Sequence, residues 1–260
     1  MDSDISFHLT WFQSYAAAMR AREQEDPQPL DIKLRHSLAV LDKARCIVTA
    51  EGFVQPLSRI CLLAALYHDV ARFEQFLRYR TFRDALSCNH GHMGVVILKR
   101  EARLVAEEDL VRKNVLAVVG IHNRFSLPML PPLLQAAAQV VRDADKLDIM
   151  RVMDEHLSGP RPYSPTVVLS QPDNPNIAGA EVLQAALEGR VAAYAHLRSV
   201  NDFRLLLGTW LFEMHFAESR RLFVQDGHAY RLLQALPDDG PHARARDALL
   251  ARLDAVAEHF

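Results

Sequence analysis

Leu57-Ser58-Arg59-Ile60-Cys61-Leu62-Leu63-Ala64-Ala65-Leu66-Tyr67-His68-Asp69-Val70 is the stretch on which the reading of this chain turns. Stepping back from His68 by four, three and four residues meets Ala64, Cys61 and Leu57, so an imidazole ends an apolar helical stripe. The spacing predicts a helix from Leu57 to about Val70, with Pro56 suited to its first turn. Three other helices end in the same way. Forward from His36 the stripe is Val40, Ala44 and Ile47; back from His122 it is Val118, Val115 and Val111; back from Asp145 it is Val141, Ala138 and Leu134. Each of these polar side chains is thus directed toward a core. Burying an unpaired carboxylate costs several kcal/mol or more, so Asp69 and Asp145 need a cationic partner, and a metal ion is one. Imidazole and carboxylate together suit borderline and harder divalent ions. A lone core histidine or helix-capping aspartate is commonplace; the adjacent pair His68-Asp69 beside two further stripes is not.

Outward from these motifs, helical periodicity dominates and alternating patterns are scarce, so the fold is expected to be all-α. A first helix is expected over about 4–24, stopping before Asp26-Pro27-Gln28-Pro29; Asp31 can cap a second that runs to Glu51-Gly52. Beyond residue 70 we expect a charged, aromatic segment to Asp84, helices near 89–104 and 108–123, and a long one after Pro131-Pro132. The stretch 158–176, with Pro160, Pro162, Pro165, Pro172 and Pro175, reads as a surface loop with a short hairpin around Thr166–Leu169. Helices follow at about 177–198, 200–223 and 241–258. This divides the chain into a core at 1–157, the Pro-rich loop at 158–176 and a helical extension at 177–260 packed on the core, a cap or the face of a homodimer.

Composition narrows the function. With 30 Lys plus Arg against 32 Asp plus Glu, the net charge is −2, and no field suited to nucleic acid is implied. The cysteines Cys46, Cys61 and Cys88 lie apart in apolar sequence, which argues for reduced thiols rather than a disulfide framework or zinc knuckle. The N-terminal segment carries Asp2 and Asp4 instead of a basic leader, and no run of 18 apolar residues occurs. We expect no membrane association and a cytoplasmic location.

The order His36, His68-Asp69, Asp145 resembles the H…HD…D signature of the HD superfamily. Its context is similar too: Leu66-Tyr67-His68-Asp69-Val70-Ala71-Arg72 resembles the family's LLHDIGR segment, with Ala71 where glycine is frequent, and Arg142-Asp143-Ala144-Asp145-Lys146-Leu147-Asp148 resembles its DADKLD segment. The segment Arg72-Phe73-Glu74-Gln75-Phe76 with Thr81-Phe82-Arg83-Asp84 and His90 is similar to a bacterial subgroup of these proteins. The resemblance covers about residues 30–155. It implies a helical bundle with additional C-terminal helices, and one divalent ion (Mn, Co, Mg, Ni, Zn or Fe) held by His36, His68, Asp69 and Asp145. A second ion would draw on two more histidines and a bridging Asp69; His90, spaced from Gly94 as in the family's HAxxG segment, and His122 are the candidates. His90 and His92 lie about 200° apart on a helix, so His90 is preferred and His92 is assigned to the rim.

The implied activity is metal-dependent hydrolysis of a phosphate ester, a nucleotide or other small phosphorylated metabolite, with Asp69 holding the ion. Arg72, four residues after His68, can reach a phosphate if the helix continues; an ion pair with Glu74 or Asp84 is its other reading. Lys146 can bind phosphate or assist the leaving group, and Asn123 and Arg124 can line the mouth. Glu74 and Asp148 are candidate acceptors that orient ligand histidines. The same six ligands also resemble di-iron HD oxygenases such as myo-inositol oxygenase, and a non-catalytic metal-binding regulatory module is a third reading. With Asn123 after His122 and no GYP segment, cyclic-dinucleotide hydrolysis is disfavoured.

Overall fold

From Ile60 to Ala71 every residue is buried, which a helix achieves only when neighbours cover it on all sides. The computed structural model, describing residues 4–163 and 167–260, makes this stretch the centre of an all-α bundle. Its elements are α1 (Ser6–Ala21), α2 (Gln28–Ala50), α3 (Leu57–Tyr67), α4 (Ala71–Tyr79), α5 (His90–Arg100), α6 (Asp109–Ile121) and α7 (Pro132–Leu157). They are followed by α8 (Ala180–Glu188), α9 (Val200–Thr209), α10 (Ala217–Gln225), α11 (His228–Gln234) and α12 (Ala243–Ala257). No strand occurs among the described residues. The chain forms two compact units, 1–148 and 149–260, and the division falls inside α7 between Asp148 and Ile149.

In the first unit α3 packs against α1, α2 and α6, and α5 packs against α4 and α6. The stripes behave as their periodicity requires: Val40, Ala44, Ile47, Cys61, Ala64, Val111, Val115, Val118, Ala138 and Val141 are all buried. Behind α3, Tyr67 Oη meets His8 Nδ1 at 2.9 Å, and His8 Nε2 lies 3.0 Å from Glu107, which ties α1 to the far side of the central helix. In the second unit α9 is the buried element, packed against α8, α11 and α12. Asp202, fully buried there, accepts from Gly179 N at 2.9 Å and Arg198 N at 2.8 Å and pairs with His242 at the start of α12 at 3.0 Å.

Several expectations need correction. Helix α2 starts at Gln28 and not after Asp31, because Pro29 fits a first helical turn and Asp31 then lies inside it. The helix through His68 stops at Tyr67; residues 68–70 form a turn, and the charged, aromatic segment that follows, to which no helix was assigned, contains α4. The expected helix at 200–223 is broken, since a 3₁₀ segment at Trp210–Glu213 separates α9 from α10, and α11 was not anticipated. Of the hairpin around Thr166–Leu169, Thr166 lies outside the described residues and 167–170 form a turn.

Candidate metal centre

Four elements deliver the histidines. His36 comes from the middle of α2, His68 from the residue that closes α3, His90 from the first position of α5 and His122 from the residue that closes α6. Helix termini suit the task because a side chain there escapes the crowding of a full turn. Asn89 caps α5 by accepting from His92 N at 2.9 Å, so the helix begins at His90; His90 is buried while His92 is exposed.

Each imidazole is fixed through Nδ1. His36 Nδ1 meets Asp148 Oδ2 at 2.6 Å, His68 Nδ1 meets Ala65 O at 2.7 Å, His90 Nδ1 meets Asp84 Oδ2 at 2.7 Å and His122 Nδ1 meets Val119 O at 2.8 Å. Those partners are carbonyls and carboxylates that only accept, so each neutral ring carries its proton on Nδ1 and turns an Nε2 lone pair inward. His90 Nε2 and His122 Nε2 face one another at 3.1 Å. The Nε2 atoms of His36 and His68 are buried without a hydrogen bond, although His36 Nε2 lies 3.1 Å from Asp145 Oδ1.

Asp69 divides its carboxylate between two groups. His68 Nε2 and His36 Nε2 lie 3.7 and 3.8 Å from Oδ2; His90 Nε2 and His122 Nε2 lie 3.5 and 3.9 Å from Oδ1. His36, His68 and Asp69, and separately Asp69, His90 and His122, each offer ligand atoms within 4.8 Å of one another. Asp145 Oδ1 adds a carboxylate to the first group, 3.7 Å from His68 Nε2.

The electrostatics follow from burial and two cations. Burial opposes ionisation of Asp69, but Lys33 and Arg72 override it and hold the carboxyl well below the usual range. Burial likewise opposes ionisation of Asp145, and the adjacent His36 and His68 rings reverse that. Burial, then His90 and His68, push His122 down to about 3. Burial and Arg72 lower His90, and burial lowers His68. At neutral pH these three rings are uncharged, so a lone pair faces a lone pair between His90 and His122. Convergent lone pairs and ionised carboxylates fit a divalent cation.

The remaining sequence candidates are placed as follows. Arg72 reaches Asp69 Oδ1 through Nε at 3.2 Å, while Nη1 donates to Phe82 O at 2.6 Å, Gln75 Oε1 at 2.8 Å and Asp84 Oδ1 at 3.0 Å. The α3 helix does not continue to it, so Arg72 touches the aspartate of the pair instead of sharing a face with His68. Asn123 Nδ2 donates to Asp84 Oδ2 at 3.1 Å and Asn89 Oδ1 at 3.2 Å. Lys146 stands half-buried beside Asp145, and Arg124 is exposed with its carbonyl held by Arg142. Asp148 orients His36, as expected. Glu74 does not join the cluster: it accepts from Tyr15 at 3.1 Å and Arg78 at 2.9 Å and pairs with Arg100.

Sequence reading missed Lys33, whose Nζ lies 2.6 Å from Asp69 Oδ2, and saw Asp84 only as a partner for Arg72 and not as the acceptor that orients His90. Lys33 was findable, since it lies three residues before His36 on the same helical face. Asp84 sits on a 3₁₀ turn where no period marks direction.

No curated protein and no solved structure matches the chain. The family model of the HD domain matches residues 34–150, a span that contains all four histidines, Asp69, Asp84, Asp145 and Asp148. That match coincides with the helices that supply the cluster, and over residues 34–150 the chain is similar to the HD-domain family.

Proposed function

We propose that the chain is a metal-dependent hydrolase of phosphate esters, with His36, His68, Asp69 and Asp145 holding one ion and Asp69, His90 and His122 a second. The observation that carries the reading is the anchoring of all four histidines through Nδ1, which turns their Nε2 atoms toward one shared carboxylate. The HD family generally includes metal-dependent phosphohydrolases. A bound divalent ion would bring the pKa of a coordinated water toward neutrality and offset phosphoryl charge.

The chain's own residues favour an anionic substrate. Lys33 and Arg72 lie on the ring of Phe82, at 5.5 and 5.9 Å from its centroid, and both contact Asp69. Two standing positive charges at the cluster suit a phosphate better than the uncharged polyol that the oxygenase reading would take. Lys146, Asn123 and His92 are assigned to the substrate side on the strength of their positions beside Asp145, His122 and His90. The helical extension at 177–260 we assign to a cap or a homodimer face.

The test is a panel of phosphate monoesters, diesters and nucleotides, with an uncharged polyol beside them, offered to chelator-stripped protein with Mn, Co, Mg or Fe, in air and without oxygen. We expect turnover that depends on added metal and is indifferent to oxygen. Activity confined to iron and oxygen would transfer the chain to the oxygenases, and no turnover under any condition would leave a regulatory module.

Asp148→Ala supplies a narrower prediction. Loss of the carboxylate that orients His36 through a 2.6 Å hydrogen bond should weaken metal binding roughly 10–100-fold, as read by titration of stripped protein, with helical content retained. Unchanged affinity would show that the His36 ring is fixed by other contacts.

A further inference from the structure

The two oxygens of Asp69 are not equivalent. On Oδ1 the chain's own cation is Arg72, whose Nη1 is also committed to Phe82 O, Gln75 and Asp84. On Oδ2 it is Lys33, whose single ion pair among the described residues is this one, at 2.6 Å. Lys33 sits on a flexible four-carbon stem, is 18% exposed, and has the Phe82 face 5.5 Å from its ammonium. Oδ2 is also the oxygen nearest His36 and His68, the one an ion in that half must use.

We propose that Lys33 competes with the ion of the His36, His68 and Asp145 half for Asp69 Oδ2 and thereby sets its affinity. The inference rests on the ligand assignment proposed above. An ammonium at hydrogen-bond distance from a ligand oxygen repels an arriving divalent cation through a short, partly dehydrated path. Releasing it costs little on the lysine side, because the flexible stem can rotate toward water. Arg72, tied by three further acceptors, stays in place. The affinity of the first half is therefore weakened by design and open to adjustment at one side chain outside the ligand set.

The experiment is a Mn²⁺ titration of chelator-stripped wild type, Lys33→Met, Lys33→Gln and Lys33→Arg, with melting curves taken with and without Mn²⁺. The neutral variants are expected to bind Mn²⁺ about tenfold tighter or more, and to show a larger rise in Tm on adding it. Lys33→Arg should stay near wild type. Without metal, the neutral variants should melt lower than wild type, since Asp69 has lost a partner. Should Lys33→Met fail to fold, Lys33→Gln carries the comparison. Equal or weaker binding by the neutral variants overturns the proposal and makes Lys33 a residue that steadies Asp69. If wild type takes up no Mn²⁺, the ligand assignment falls, and this inference with it.

Discussion

Asp69→Ala will take up no metal at either half of the cluster and will lose phosphate-ester turnover by at least about a thousandfold, with helical content retained. The reasoning is geometric. Asp69 is the one residue common to both groups of ligand atoms, so its removal takes an oxygen from each, whereas removal of any single histidine takes a nitrogen from only one. It also leaves Lys33 and Arg72 facing the histidines with less negative charge between them, which raises the barrier to any cation. The fold should survive because α3 is held by an apolar surface that does not involve the carboxylate: Ile60, Leu62, Leu63, Leu66 and Tyr67 are fully buried or nearly so. Lys33 can turn to solvent, and Arg72 keeps Asp84, so neither cation is stranded. Metal content by elemental analysis, circular dichroism and the ester panel together check the prediction. Metal retained at wild-type level, or wild-type turnover, would remove Asp69 from the centre of the site and with it the assignment of both ions.

How much of this was readable beforehand depended on whether burial followed a period. His36, His68, His122 and Asp145 each end an apolar stripe, and the stripes lie on the core faces of α2, α3, α6 and α7, so the inward direction of each was visible in spacing, while their meeting at one site was what the resemblance to the HD signature implied. Helix α4 was hidden for the opposite reason. Within Phe73-Glu74-Gln75-Phe76 all four side chains are buried, two of them polar, so no alternation of apolar and polar marks a face. Their burial is sustained by partners mostly outside the helix: Glu74 by Tyr15 and Arg100 besides Arg78 one turn on, and Gln75 by Asp84, Ser87 and Cys88 O. The turn at 68–70 was hidden because its residues are as apolar or as helix-compatible as those before them, and only the need to aim Asp69 at two groups distinguishes it. In the second unit the break at Trp210–Glu213 follows from packing, since Trp210 and Leu211 are buried and nothing in their local sequence forbids a continued helix.

Gly91→Ala will strip the half of the cluster built on His90 and His122 while sparing the half built on His36, His68 and Asp145. Gly91 is the second residue of α5, where that helix crosses the last turn of α6. A Cβ there would lie 2.9 Å from Val119 O, 3.1 Å from Gly120 O and 3.0 Å from Asn123 Oδ1. Two of the three obstacles are backbone oxygens, so the clash is relieved only by moving α5 off α6. Val119 O is also the acceptor that fixes His122 Nδ1 at 2.8 Å, and His90 is the neighbour of the substituted residue. Both rings of this half therefore shift, and their 3.1 Å approach opens. Overpacking of this kind costs roughly 1–3 kcal/mol, against which alanine's better helix propensity returns up to about 1 kcal/mol. A fall in Tm of a few degrees is expected for a unit of this size. Gly94→Ala is the internal comparison. Its Cβ meets a Val119 methyl at 3.1 Å and a Val70 methyl at 3.5 Å, side-chain atoms that can yield, so a smaller shift and full metal uptake are expected. Native mass spectrometry of Mn²⁺-loaded protein, with melting curves for the two variants, reads the outcome. If Gly91→Ala holds as many ions as tightly as wild type, the contact between α5 and α6 does not set the second half, and His90 and His122 are not ligands of the same ion.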